Sequence, residues 1–397
     1  MLSFADDLTQ RLAGLREQGL YRELRRVDSA CGPRIEIAGK KLLNFSSNDY
    51  LGLASHPALK QAAIAAVEKF GAGAGASRLI CGSLAPFHEL EQALAVFKRT
   101  EAALTFSTGY AAALGTITAL LGKDDVIILD KLVHACIVDA ARLSGAKLRV
   151  FAHNDLNDLE DKLKWAASAS RRASPLTGHI LVVTESIFSM DGDAAPLREM
   201  VALKEKYGAW LMVDEAHATG VIGAHGYGLA DALGVSSQIE IQMGTLGKAL
   251  GASGGFIGGS RALIDYLVNR ARSFIFSTSP VPAAAAAALA AIALVQSAEG
   301  HTRRAQLHHH AAELNTELAH GQPAAAGAII PLMVGDEAEA VAVAAQLRGQ
   351  GLFVPAIRYP TVARGSARLR ITLTAAHSAH DLSALTRALE PIVNRQS

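Results

Sequence analysis

The sequence predicts an α/β protein. A large domain with a mostly parallel central sheet flanked by helices is expected first, and a smaller C-terminal α/β domain after it. Three observations carry this. From about residue 57 onward, helical stretches alternate with short β-branched runs, the pattern of βαβ units. Half of the 397 residues are hydrophobic and only 19% are charged, enough for a sizeable core. The residues able to do chemistry fall directly after apolar runs, where open α/β sheets bind ligands.

The elements follow in order. The first thirty residues read as a charged, amphipathic helix. RIEIAGKKLLNF then reads as a hairpin turning at Ala38-Gly39. Strands are expected at 126–129, 148–151, 180–184, 211–213, 239–243 and 256–257. After Pro280-Val281-Pro282, the Ala-rich run 283–294 predicts a long helix, with Leu289, Ile292 and Leu294 arguing for packing. Further strands are expected near 353–357 and 369–373. The chain divides accordingly: 1–56 is an N-terminal helix and hairpin segment, 57–282 the large domain, and 283–397 the small one.

Composition excludes several classes of function. Lys and Arg number 38 against 37 acidic residues, which leaves no electrostatic footprint for nucleic acid or an anionic membrane. No apolar run reaches about 18 residues, so no spanning helix is expected. MLSFADDLTQ carries Asp6 and Asp7 where a signal peptide needs a basic and then an apolar stretch. Cys31, Cys81 and Cys136 are an odd number without metal-like spacing. They suggest a reducing compartment, and the cytoplasm is expected.

Three stretches carry chemistry. In MGTLGKALGASGG, Lys248 follows a strand and sits among five glycines. Glycines permit tight turns and close approach of a ligand. A Schiff-base lysine needs that access, together with a desolvated site that favours its neutral amine. An isolated Gly-Lys is more often a surface loop, so the neighbouring stretches must decide. In WLMVDEAHATG, an apolar run ends at Asp214, which belongs at a strand's carboxyl end. A carboxylate there can keep a pyridine nitrogen protonated, which makes pyridoxal 5′-phosphate (PLP) an electron sink. His217 could donate to the ring's phenolate oxygen. Alternatively, Asp214 caps a following helix. The Asp-Glu-Ala-His string resembles a nucleotide-hydrolase box, but no matching phosphate loop exists.

Ser107-Thr108-Gly109-Tyr110 precedes a helical stretch. It suits either a phosphate at the helix's positive end or an ordinary cap. Ser189 and Thr245 offer further hydroxyls. His134, after the strand at 126–129, could stack on a cofactor ring or be structural. The run His308-His309-His310 could suggest a metal, but successive helical residues point apart, so a solvated face is expected and no metal site.

These stretches occur in the order and spacing of one family. With NFSSNDYLGL, GAGASRLICG, TESIFSMDGD, FIFSTSP and RLRITLTAAH, the chain resembles the α-oxoamine synthases along nearly its whole length. These are fold-type-I PLP enzymes that condense an amino acid with an acyl thioester. The resemblance implies PLP held by Lys248, which also moves protons. It implies Asp214 at the pyridine nitrogen, His217 at the phenolate oxygen and His134 stacked on the ring. Gly109, Tyr110, Ser189 and Thr245 would face the cofactor. Thr278 would reach a second subunit's phosphate in a homodimer with shared sites. Asn48 and Arg370 would hold the amino acid's carboxylate.

AIRYPTVARGSARLRITLTAAH is similar to the biotin-pathway branch, which joins L-alanine to a pimeloyl thioester on coenzyme A or acyl carrier protein. There Arg358 and Thr361, with Arg22 at the site entrance, are implied in substrate binding. Tyr359 replaces the proline commonest in that branch, and 5-aminolevulinate synthases share it. A sister synthase using glycine with succinyl- or acetyl-CoA is therefore the second expectation. A silent binding subunit of the same fold is the third, and it is opposed by the joint presence of Lys248, Asp214 and His134.

Overall fold

The computed structural model describes residues 2–170, 178–318 and 326–393. Its N-terminal helix, Phe4–Glu17, buries no residue and ends well before residue thirty. The chain from 18 to 33 has no helix, so the expected long helix is corrected to fourteen residues. The hairpin forms as read, with β1 (Arg34–Ile37) and β2 (Lys40–Asn44) paired antiparallel. Ala38 and Gly39 both have positive φ, 51° and 72°, as a two-residue turn requires. β2 also pairs with a strand from far along the chain, Leu352–Phe353, which ties the N-terminal segment to the C-terminal region.

The central sheet has seven strands: β3 (Ala102–Phe106), β4 (Val126–Asp130), β5 (Lys147–Phe151), β6 (Ile180–Glu185), β7 (Trp210–Asp214), β8 (Ile241–Thr245) and β9 (Gly255–Gly259). Their order is β3-β9-β8-β7-β6-β4-β5. The ladders are parallel from β8 through β5, while β9 runs antiparallel to both its neighbours. Two helical layers explain the continuous apolar strands. Ile127, Leu129, Leu181, Val183, Met212 and Ile241 pack under the helices Gly109–Leu120 and Ala135–Ser144. Ile128, Val182, Leu211 and Val213 face the helices Leu156–Ser170 and Leu197–Tyr207. Burial of both faces is the usual condition of a parallel sheet.

The long helix Pro282–Gln296 packs on the helices Pro57–Phe70 and Ala85–Lys98. It is followed by a second sheet of β10 (Ile329–Gly335), β13 (Ala367–Thr372) and β12 (Ala356–Ile357), all antiparallel; β11 is the Leu352–Phe353 strand already placed beside β2. Among the described residues, no single helix is long and apolar enough to cross a membrane. The three cysteines are free, and no cluster fit for a metal ion exists among the described residues. The histidine run is not simply a solvated face. His309 is exposed, but His310 is 1% exposed beside Gln306, and His308 Nε2 lies 3.0 Å from the Val221 carbonyl.

Candidate active site

Three parallel strands end side by side. Glu185 of β6 is in register with Asp214 of β7, and Asp214 with Met243 of β8. These ends, with Thr245 closing β8 and Lys248 beyond it, line a cavity of about 180 Å³. The loop after Lys248 can only be glycine-rich. Gly251 has φ +61°, and a Cβ there would lie 2.5 Å from the Ala54 amide nitrogen. That packing fixes the lysine's backbone while its side chain reaches inward. Lys248 Nζ stands 2.8 Å from His217 Nε2.

No helix begins at Asp214. The next one, Leu229–Ala232, starts fifteen residues on. Asp214 Oδ1 instead accepts the Ala216 N–H at 2.9 Å, forming a tight turn that brings His217 back over the cavity. The carboxylate is 4% exposed and has its second oxygen available to a ligand.

Burial dominates the electrostatics. It pushes the Asp214 carboxyl up and the Lys248 ammonium down, with each opposing the other's shift by its charge. Glu185 is pushed up to about 8, first by burial and then by the Asp214 charge beside it. Burial also lowers His134 and drops His217 well below the usual imidazole range. The lysine is thus poised toward its neutral, nucleophilic form. Glu185 Oε1 is buried and has no hydrogen-bond partner.

The helix Gly109–Leu120 points its N-terminus at the same cavity. Thr108 caps it, accepting the Ala111 N–H at 3.0 Å. The amides of Gly109 and Tyr110 precede the capped one and have no intrahelical acceptor. A side chain at Gly109 would extend toward Met243 and Thr245 and fill this space. Across the cavity, His134 caps the helix Ala135–Ser144, its Nδ1 accepting the Cys136 N–H at 3.2 Å. It is therefore both structural and cavity-lining, and the cap fixes its ring.

A lysine, a carboxylate, two histidines and a helix N-terminus around one small cavity fit PLP. The aldehyde needs the amine, the pyridine nitrogen the carboxylate, and the phosphate the amides.

Beside this cavity lies a buried arginine. Arg370, on β13 and 5% exposed, donates to the Ser189 carbonyl at 2.6 Å, Thr372 Oγ1 at 2.9 Å and Asn48 Oδ1 at 3.2 Å. Ser189 thus serves through its carbonyl, and its hydroxyl is not among the groups lining the cavity. Arg358 Nη2 donates to the Tyr21 carbonyl at 3.3 Å, not to a carboxylate, which places it next to Arg22. Arg22, Thr361 and Thr278 are exposed and lie outside the cavity of this chain. Thr278 bridges to Ser77 beside exposed Leu79, Ile80 and Phe276.

Tyr50 is the residue that sequence reading passed over. It is fully buried, with its hydroxyl 2.5 Å from His217 Nδ1 and 3.2 Å from Asn48 Oδ1. Its only sequence signal is its place two residues after Asn48 in NDYLGL.

Residues 40–389 match the family model for class I and II aminotransferases. The 8-amino-7-oxononanoate synthase of Geobacter sulfurreducens is 47% identical over 392 residues, covering 97% of this chain and 98% of that one. Among solved structures, a serine palmitoyltransferase from S. paucimobilis with PLP and myriocin bound superposes with a TM-score of 0.89 at 31% identity, covering 98% and 97%. The 8-amino-7-oxononanoate synthase of Francisella tularensis superposes at 0.74 with 27% identity, covering 89% and 97%. The shared fold does not separate these activities, whereas 47% identity along the whole length does. The chain belongs to the class I and II aminotransferase family of PLP-dependent, fold-type-I enzymes, in its 8-amino-7-oxononanoate synthase branch.

Proposed function

We propose that this enzyme condenses L-alanine with a pimeloyl thioester, carried by coenzyme A or acyl carrier protein, to give 8-amino-7-oxononanoate for biotin synthesis. The observation that carries the reading is the adjacency of two sites. Lys248 and Asp214 line one cavity, and the hydrogen-bonded pair Arg370 and Asn48 is joined to it through Tyr50 and His217.

PLP, when bound, supplies an electron sink for charge at the amino acid's α-carbon. The chain's own residues do the rest. Asp214 would accept the ring N–H, His217 Nε2 would donate to the ring oxygen, and His134 would cover the ring face. The amides of Gly109 and Tyr110, with Thr245, would hold the phosphate end, whereas Ser189 holds Arg370 through its carbonyl. Thr278 would reach the phosphate held by a second copy in a homodimer. Arg370 and Asn48 grip the alanine carboxylate. Lys248 Nζ takes the α-proton. A bond then forms between that carbon and the thioester carbonyl, and the carbon–sulfur bond breaks to release the thiol. The carboxylate leaves as carbon dioxide, and a proton replaces it.

Arg358 meets the Tyr21 carbonyl, one residue before Arg22 in the chain, and Thr361 closes the same turn with its N–H on the Arg358 carbonyl. The Arg358 guanidinium there, with Arg22 next along the chain from Tyr21, suits the far carboxylate, or its ester, of a pimeloyl chain. Near-neutral charge and free thiols suit the cytoplasm.

Thiol release from pimeloyl-, succinyl- and acetyl-CoA, each with L-alanine and with glycine, tests the reading. L-alanine with pimeloyl-CoA should give the largest kcat/KM. A larger value for glycine with succinyl-CoA would transfer the enzyme to the sister synthases.

A further inference from the structure

We infer that Tyr50 is a positioning residue whose hydroxyl passes the occupancy of the carboxylate pocket to His217. The inference rests on the reading above, in which His217 faces the cofactor and Arg370 with Asn48 takes the carboxylate.

Hydrogen counting leads to it. Tyr50 is 0% exposed, so its hydroxyl must be satisfied within the protein. It has three neighbours, His217 Nδ1 at 2.5 Å, Asn48 Oδ1 at 3.2 Å and the Arg370 guanidinium, which can only donate to it, and one proton to give. Asn48 Oδ1 can only accept, and it also receives Arg370 Nη2 at 3.2 Å. His217, held neutral by burial, has one ring proton. Two arrangements satisfy everyone. In the first, His217 Nε2 accepts from Lys248, Nδ1–H donates to Tyr50, and Tyr50 donates to Asn48. In the second, Nε2–H donates into the cavity, Nδ1 is bare, and Tyr50 donates to it. The tyrosine proton thus points to Asn48 or to His217, and the tautomer of the histidine follows it.

The backbone holds this contact in place. Tyr50 N–H donates to the Asn48 carbonyl at 2.9 Å, and the Tyr50 carbonyl accepts the Ala375 N–H at 2.8 Å. Burial pushes the tyrosine up to about 12, so the proton is present at any working pH. A ring oxygen accepting from Nε2 selects the second arrangement. A carboxylate on Arg370 competes with Asn48 for the guanidinium. Asn48 then claims the tyrosine proton, which draws His217 back toward the first. Substrate binding in one pocket is in this way felt by the histidine in the other.

The test is the protonation site of His217, read from its ring-nitrogen resonances in histidine-labelled protein. The signals are identified by their loss in His217→Gln. Wild-type protein without PLP should carry the proton on Nδ1, and PLP should move it toward Nε2. Propionate should then shift the ratio back roughly three- to tenfold, the worth of one hydrogen bond. Tyr50→Phe should lose the propionate response while still binding propionate in competition with L-alanine. A wild-type response in Tyr50→Phe overturns the inference. Should that variant not fold, Asn48→Ala decides: it should rest on the Nε2 side and ignore propionate, and a normal response there overturns the inference as well. A wild-type His217 that answers PLP but not propionate overturns the inference alone. One that ignores PLP overturns the parent reading too.

Discussion

Asp214→Asn removes a charge and almost nothing else. The amide oxygen can still accept the Ala216 N–H, now 2.9 Å from Oδ1, so the turn that places His217 is kept. Stability should change by less than about 1 kcal/mol, as for substitutions that leave packing and partners intact. What disappears is the charge at the end of β7, in a site 4% exposed. A hydrogen bond to a charged group is worth about 1.5–3 kcal/mol net, or roughly ten- to 150-fold in a rate or equilibrium constant. That is a lower bound for catalysis, because the protonated ring nitrogen must also be held while charge develops at the substrate carbon. The signs elsewhere are fixed. Asp214 raises both Lys248 and Glu185, so the variant should lower both. The assay is thiol release at several L-alanine concentrations, alongside thermal unfolding of the same preparation. An intact melting transition with kcat/KM within threefold of wild type would refute the argument, because Asp214 would then only shape the turn.

Gly255→Ala places a Cβ 2.5 Å from the Gly109 nitrogen, pushing β9 off the helix N-terminus. PLP affinity should fall at least about tenfold, as for an overpacked contact, measured by fluorescence titration of the apoprotein. Arg370→Lys puts a single ammonium where Nε, Nη1 and Nη2 now each reach a different acceptor, and one nitrogen cannot span all three. KM for L-alanine should rise more than kcat falls, and an unchanged KM would place the carboxylate elsewhere. His153 is opposed by burial but held protonated by Asp130 at 3.0 Å and Asp193 at 2.8 Å, reaching about 10. Its folded value lies above its unfolded one, so its stabilisation is complete below about pH 6.5 and lost as pH rises through 10. Unfolding curves across that window should flatten in His153→Ala.

Much of this was legible because strands and chemistry announce themselves together. Runs such as VIILD and ILVVTE are β-branched and buried on both faces, and they were read within a residue or two. Two strands were not. AALTF is rich in alanine, a poor strand former, and β3 exists because it pairs with β9 along its whole length. IIPLMVG contains a proline and is held by β13. The N-terminal helix was overread because charge periodicity continues past Glu17, whereas the chain there leaves the helix and Tyr21 meets Arg16 and Arg358 instead. In the site, Lys248 and Asp214 were legible from glycines and from an apolar run ending in a carboxylate. Tyr50 was not, since its partner His217 is 167 positions away and only the fold brings them together. His310 was misjudged for the same reason: its neighbours decide its burial, and its own sequence context does not.

The most direct measurement is borohydride reduction of the PLP-loaded protein followed by peptide mapping. Reduction fixes the cofactor to whichever amine holds it. The site described here predicts one labelled peptide, containing Lys248, together with loss of the bound cofactor's visible absorbance in Lys248→Ala. Label on a peptide without residue 248, or a Lys248→Ala protein that keeps that absorbance, would contradict the assignment.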